Sequence, residues 1–204
     1  MNKFEHHYKA WRKTRINFLK SLIDVQGLRI LEMGAGHGQV GEDLSHLGAK
    51  VLFAEGRPEH VEAMQDRMPL ADVVQTDFDG FWLIPGDFDL VLHWGLLYHL
   101  NDWRTSLTCA LAHAPYVCLE TEVADSNDPF FEIKSEEKGF DQALGGIGSH
   151  PTAPMIEYFL GEQGATFVRY DVPSLNAEFH KYDWQVTESK TWNVGQRRFW
   201  MIKS

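Results

Sequence analysis

The segment Ile30-Leu31-Glu32-Met33-Gly34-Ala35-Gly36-His37-Gly38 constrains this chain more than any other. A short apolar strand runs into a turn with three glycines, where the backbone bends sharply and can approach a ligand that any Cβ would push away. The turn leads into a helix, and Val51-Leu52-Phe53-Ala54-Glu55 follows as a second strand closed by an acid. Strand, glycine turn, helix and strand in this order make a βαβ unit with a binding loop at its carboxyl edge.

Spacing selects among the ligands such a loop can take. A carboxylate at Glu55, on the tip of the second strand, is placed to accept from both hydroxyls of an adenosine ribose. A dinucleotide fingerprint, G-x-G-x-x-G, requires glycine at position 39; Gln39 stands there, and the third glycine comes one residue early as Gly38. Glu32 precedes the first glycine, where a carboxylate repels a pyrophosphate but suits a ligand carrying an ammonium and a sulfonium. On these residues the chain resembles the class I S-adenosylmethionine-dependent methyltransferases, whose first motif reads acid-x-Gly-x-Gly-x-Gly.

Further markers extend the resemblance over residues 28 to 124. In that family one acid ends the second strand and another follows the third; here these are Glu55 and, in Val73-Val74-Gln75-Thr76-Asp77-Phe78, Asp77. The run Gly95-Leu96-Leu97-Tyr98-His99-Leu100 is similar to the strand-to-helix junction of many small-molecule methyltransferases. The resemblance implies S-adenosylmethionine as cofactor, held by Glu32, Gly34, Gly36 and Gly38, with Glu55 on the ribose. Asp77 would meet the adenine between Gly56 and Phe78, with His93 beside the cofactor. Singly, Glu55 and Asp77 are also what solvated acids at strand ends look like; at βαβ spacing they read as a set.

The apolar periodicity predicts an α/β fold: a doubly wound, Rossmann-like, seven-stranded sheet with a terminal antiparallel hairpin and an N-terminal helix. Strands are expected at 28–33, 50–55, 72–76, 88–94, 116–122, 166–170 and 197–203, with helices at 4–24, 39–47, 58–67, 101–113 and 151–164. The first helix carries Phe4, Tyr8, Trp11, Phe18 and Leu22 broadly on one face, and its Lys9, Arg12, Lys13 and Arg15 are read by default as a solvated face. One domain over 1–204 is the expectation, at 44% hydrophobic and 24% charged residues.

A net charge of −10 disfavours nucleic acid as a partner. No apolar run reaches bilayer length and Met1 to His7 lacks a signal-peptide core, so a cytoplasmic protein without a membrane partner is expected. Cys109 and Cys118 read as buried thiols, and no tight ligand spacing supports a metal. Oligomeric state is not readable from the sequence.

Two segments fall outside the sheet-and-helix plan, 126–150 and 171–196, and both are expected on the acceptor side. In the first, Gly145, Gly146 and Gly148 suggest a hinged lid, closing with the N-terminal helix and shielding the acceptor behind Phe130 and Phe131. The second holds Asn176, His180, Tyr182, Asp183 and Trp184, which either pack on the sheet or touch substrate. Methyl transfer to a hydroxyl or amine often needs a base, for which His150 is the first candidate, with His93 and His180 next. His99 either caps the following helix or takes part, and Glu120 and Glu122 could touch the acceptor. Residues 93–96 carry no Asn-Pro-Pro-Tyr signature of base or amide-nitrogen methylation. The expected function is methyl transfer to a small polar acceptor, a sugar or metabolite hydroxyl or amine. The alternatives are a nicotinamide-dependent oxidoreductase and a catalytically silent, cofactor-binding regulatory protein.

Overall fold

The computed structural model describes residues 3–136 and 143–204, with side chains from Lys9 onward. Among the described residues there are nine strands: β1 (Arg29–Met33), β2 (Lys50–Glu55), β3 (Asp72–Gln75), β4 (Leu90–Trp94), β5 (Tyr116–Ala124), β6 (Phe131–Ser135), β7 (Ile147–Pro151), β8 (Thr166–Arg169) and β9 (Trp192–Lys203). The helices are α1 (Lys3–Leu22), α2 (Gln39–His46), α3 (Pro58–Arg67), α4 (Trp103–His113) and α5 (Ala153–Glu162). The main sheet has seven strands in the order β3-β2-β1-β4-β5-β9-β8. From β3 to β5 the pairings are parallel, and β9 runs antiparallel between β5 and β8, the expected terminal hairpin.

The central strands are apolar runs because helices cover both of their faces. Alternation along β1 sends Ile30 toward α1 and α2, where Leu19, Leu44 and Phe53 join it, and Leu31 and Met33 toward α4 and α5, where Leu107 and Ile156 lie. Local chemistry sets the helix starts. Asp102 caps α4 by accepting from the Thr105 amide (3.3 Å), and Thr152 caps α5 by accepting from Met155 (3.3 Å).

Two differences from the expected plan bear on the site. Segment 126–150 is not a plain loop: its described parts form β6 and β7, a two-stranded antiparallel ribbon in which Glu132 faces His150 across the pair. Nor does Gly148 serve as a hinge. A Cβ there would collide with the Tyr98 carbonyl and the Glu136 carboxylate, so glycine is needed to let the ribbon sit on the 3₁₀ turn Leu97–His99. The ribbon is fixed from the other side as well, since Glu136 accepts from His99 Nδ1 (2.8 Å) and from the Ala143 amide (2.6 Å). Phe131 does not screen the acceptor; it packs on the Arg104 guanidinium (4.7 Å) and edges Trp103. The second difference is length: β9 starts at Trp192, five residues before the expected 197, as Trp192 pairs with Ala124 past an irregularity in β5.

Candidate functional site

A cavity of about 640 Å³ opens at the carboxyl ends of β1, β2 and β4, large enough for a drug-sized ligand. At one end lies the glycine turn. Gly36 has φ +57°, and a Cβ built on it would point into open space with no atom within 4 Å. The backbone at this bend is therefore free to lie against a ligand. Gly34 shares this wall, whereas Gly38 does not: it starts α2, and its Cβ position is filled by Met64 and Met68.

Four acids line the cavity, Glu32, Glu55, Glu59 and Asp77, with Gly56 and Phe78 beside them. Glu55 is buried and held by two backbone amides, Oε2 accepting from Gly36 (2.7 Å) and Oε1 from Arg57 (2.9 Å). A carboxylate has about four acceptor positions, so lone pairs remain toward the cavity. Glu32 accepts from the Gly41 amide (3.1 Å), and burial pushes its pKa up to about 8, against the partial relief of that hydrogen bond. Asp77 is exposed and turns one oxygen to its own loop, accepting from the Asp79 amide (3.0 Å). Leu144, carried by the ribbon, reaches across to Gly56 and roofs this end.

The other end is aromatic and basic. Trp94, Tyr98 and His180 line it together with Arg12 and Arg15 of α1 and Arg197 of β9. Behind them sits a buried ion network. Glu120 Oε1 accepts from Tyr182 Oη (2.7 Å) and Arg197 Nη1 (3.1 Å), and Oε2 from Arg15 Nη1 (2.9 Å) and Arg197 Nη1 (3.1 Å). Burial would raise its pKa, but Arg197 and then Arg15 hold it down at about 2. Glu122 accepts from Arg197 Nη2 (2.8 Å) and Trp192 Nε1 (2.7 Å), yet burial prevails and leaves it at about 7. Neither glutamate is on the cavity wall; both are spent on the arginines.

Of the three histidines nominated as base, only His180 lines the cavity. It stacks on Trp11 (ring centroids 3.8 Å apart), and burial, followed by the Arg197 charge, lowers its pKa to about 3. His150 lies outside the wall, a correction to its first rank. It is buried behind Tyr98 and against Trp192 (4.6 Å), and burial with the Lys134 charge lowers it to about 4. His93 is off the wall too, both as base and as cofactor contact: it points into the α4 side of the sheet, fully buried, with neither ring nitrogen hydrogen-bonded among the described residues and a pKa of about 4 from burial. His99 is on the wall but tied to Glu136. Within segment 171–196 the remaining polar groups are structural: Asn176 bridges Asp183 (2.8 Å) and the Tyr182 amide (2.9 Å), and Trp184 donates to the Arg197 carbonyl (3.1 Å).

The arginines are what sequence reasoning passed over. Lys9 and Lys13 are exposed as expected of a solvated face, but Arg12 is half-buried and Arg15 buried. The available signal was Arg15 beside Ile16 and one turn past Trp11, and the pair Arg197-Arg198 inside the apolar end of a strand.

Residues 30–114 match the family model described as "Methyltransferase domain". A ubiquinone biosynthesis O-methyltransferase of Cereibacter sphaeroides is 30% identical over 95 residues, which is 44% of this chain and 38% of that protein. One from Xanthomonas euvesicatoria pv. vesicatoria is 29% identical over 99 residues, 46% of this chain and 41% of that protein. The matched stretch thus spans about two fifths of these curated relatives. Among solved structures, an S-adenosylmethionine-dependent methyltransferase from Mesorhizobium loti superposes with a TM-score of 0.65 at 16% identity, covering 94% of this chain and 98% of that one. Magnesium protoporphyrin IX methyltransferase from Synechocystis PCC 6803, solved with S-adenosylmethionine, gives 0.64 at 13% identity, covering 100% of this chain and 85% of that one. Residues 30–114 thus match a methyltransferase domain, and the chain as a whole shares the fold of S-adenosylmethionine-dependent methyltransferases.

Proposed function

We propose that this chain transfers the methyl group of S-adenosylmethionine to a hydroxyl of a small molecule, and the observation that carries the reading is the two-ended cavity. Its acidic end suits a cationic cofactor and its aromatic end leaves room for a second reactant. The cofactor supplies an electrophilic methyl on sulfonium, and in-line attack needs an aligned oxygen in a site without water. Glu55 would take the ribose hydroxyls, Asp77 and Phe78 the adenine, and Glu32 the positive charge. A hydroxyl acceptor is favoured over an amine by the curated O-methyltransferase relatives. Arg15 and Arg197 support the same choice, since an ammonium would be repelled there.

His180 is the base in this proposal. Burial keeps it neutral at pH 7, able to accept a proton, and the ionised Glu120 nearby favours the imidazolium that results. A base this weak adds toward the low end of the usual range, about 10².

Calorimetry with S-adenosylmethionine, S-adenosylhomocysteine and NAD separates the readings. The proposal expects micromolar binding of the first two and none of the third. Tight NAD binding would restore the oxidoreductase alternative. Formation of S-adenosylhomocysteine with a panel of hydroxylated metabolites separates an enzyme from a silent binding protein.

A further inference from the structure

The arginines lining the cavity are unequally paired. Arg12 is neutralised, its Nε donating to Asp43 (2.7 Å) and its Nη1 to Gln39 (3.0 Å). Arg197 holds two carboxylates, Glu120 and Glu122. Arg15 has only a share in one, a single bond from Nη1 to the Glu120 carboxylate that Arg197 already grips. A guanidinium carries five N–H donors. Arg15 is 8% exposed, and its Nε, like those of Arg197 and Arg198, is buried without a hydrogen-bond partner among the described residues; Arg15 differs from Arg197 in holding one carboxylate where Arg197 holds two. A buried donor left unmatched is rare and calls for an explanation. Trp94 covers one face of this guanidinium at 5.4 Å, so a planar group sliding along the indole would meet its edge.

We propose that the acceptor carries an anionic group, a carboxylate or a phosphate, and that Arg15 binds it. The inference rests on reading the cavity as a methyl-transfer site. The arginine also selects among acceptors, since an anion is attracted to it and a cation repelled. Arginine serves this role better than lysine because its planar fork matches both oxygens of such a group.

The test uses the full chain loaded with S-adenosylhomocysteine and three flat probes titrated by calorimetry: 4-hydroxybenzoate, 4-hydroxyphenyl phosphate and the neutral 4-hydroxybenzamide. At least one anion should bind about tenfold or more tightly than the amide, as hydrogen bonds to a charged group require. The tighter of the two anions identifies the source of the charge. Arg15→Gln should abolish the preference while S-adenosylhomocysteine still binds, and Arg15→Lys should restore part of it. Equal binding of amide and anions, an unchanged preference in Arg15→Gln, or no binding of either anion at millimolar concentration would overturn the proposal. Should Arg15→Gln not fold, the wild-type ranking of the three probes decides alone. Failure of S-adenosylhomocysteine to bind the wild-type chain would defeat the methyl-transfer reading, and this proposal with it.

Discussion

Replacing Glu120 by glutamine keeps the shape of the side chain and removes the charge on which the arginine network closes. In the native protein both oxygens accept, one from Tyr182 and Arg197 and the other from Arg15 and Arg197. An amide has one acceptor oxygen, so its NH₂ must face N–H or O–H donors on one side. Two buried guanidiniums also lose their shared counterion. Removing one partner of a buried ion pair costs about 3–5 kcal/mol. The carboxyl gives a consistent figure: holding a pKa at about 2 instead of 4.5 corresponds to about 3 kcal/mol. In a chain of this length that is a fall in Tm of about 6 to 20 °C. The sign with pH is set by the depressed native pKa. Glu120 contributes its full stabilisation above 4.5, and the contribution fades as pH falls from there toward 2, because the unfolded chain takes up the proton first. Urea denaturation of wild type and Glu120→Gln from pH 7 down to pH 3 measures both effects. A difference below about 1 kcal/mol at pH 7, the range of an exposed pair, or one that does not narrow below pH 4.5, would refute the reasoning.

Glu55→Ala should weaken S-adenosylmethionine about a hundredfold by calorimetry, since two charge-assisted hydrogen bonds are lost. Glu32, at about 8 in the free protein, is protonated at neutral pH and should release a proton as a cationic ligand arrives. Affinity should therefore rise with pH up to about 8, and titrations in buffers of different ionisation enthalpy should report the proton. His180→Asn should lower turnover about a hundredfold with cofactor affinity unchanged, whereas His150→Asn should lower it far less once stability is matched.

The glycine-turn part of the cavity was legible because everything that makes it is local. Strand, glycine turn and acid lie within residues 30–55, and a strand buried on both faces reads as an unbroken apolar run. The β6–β7 ribbon was not legible because it lacks a one-sided apolar face: Ile133 is 60% and Ile147 42% exposed, and the glycines between them look like those of any loop. His150 gained its rank from standing beside Pro151, which says nothing about which way a ring points. Arg15 and Lys13 look alike at helical spacing. What separates them is a carboxylate 105 residues away, beyond the reach of any periodicity.

That same separation bears on how the protein assembles. The Glu120 network draws together Arg15, Tyr182 and Arg197 across gaps of 105, 62 and 77 residues. Long loops must close before such contacts return any free energy. The arginine network should therefore form late, after β1, β2 and the glycine turn have paired through short connections. In hydrogen exchange, amides around Tyr182 and at the start of β9 should open at lower free energy than those of β1 and β4. Selectivity would then reside in the part of the molecule that is easiest to open and the last to close.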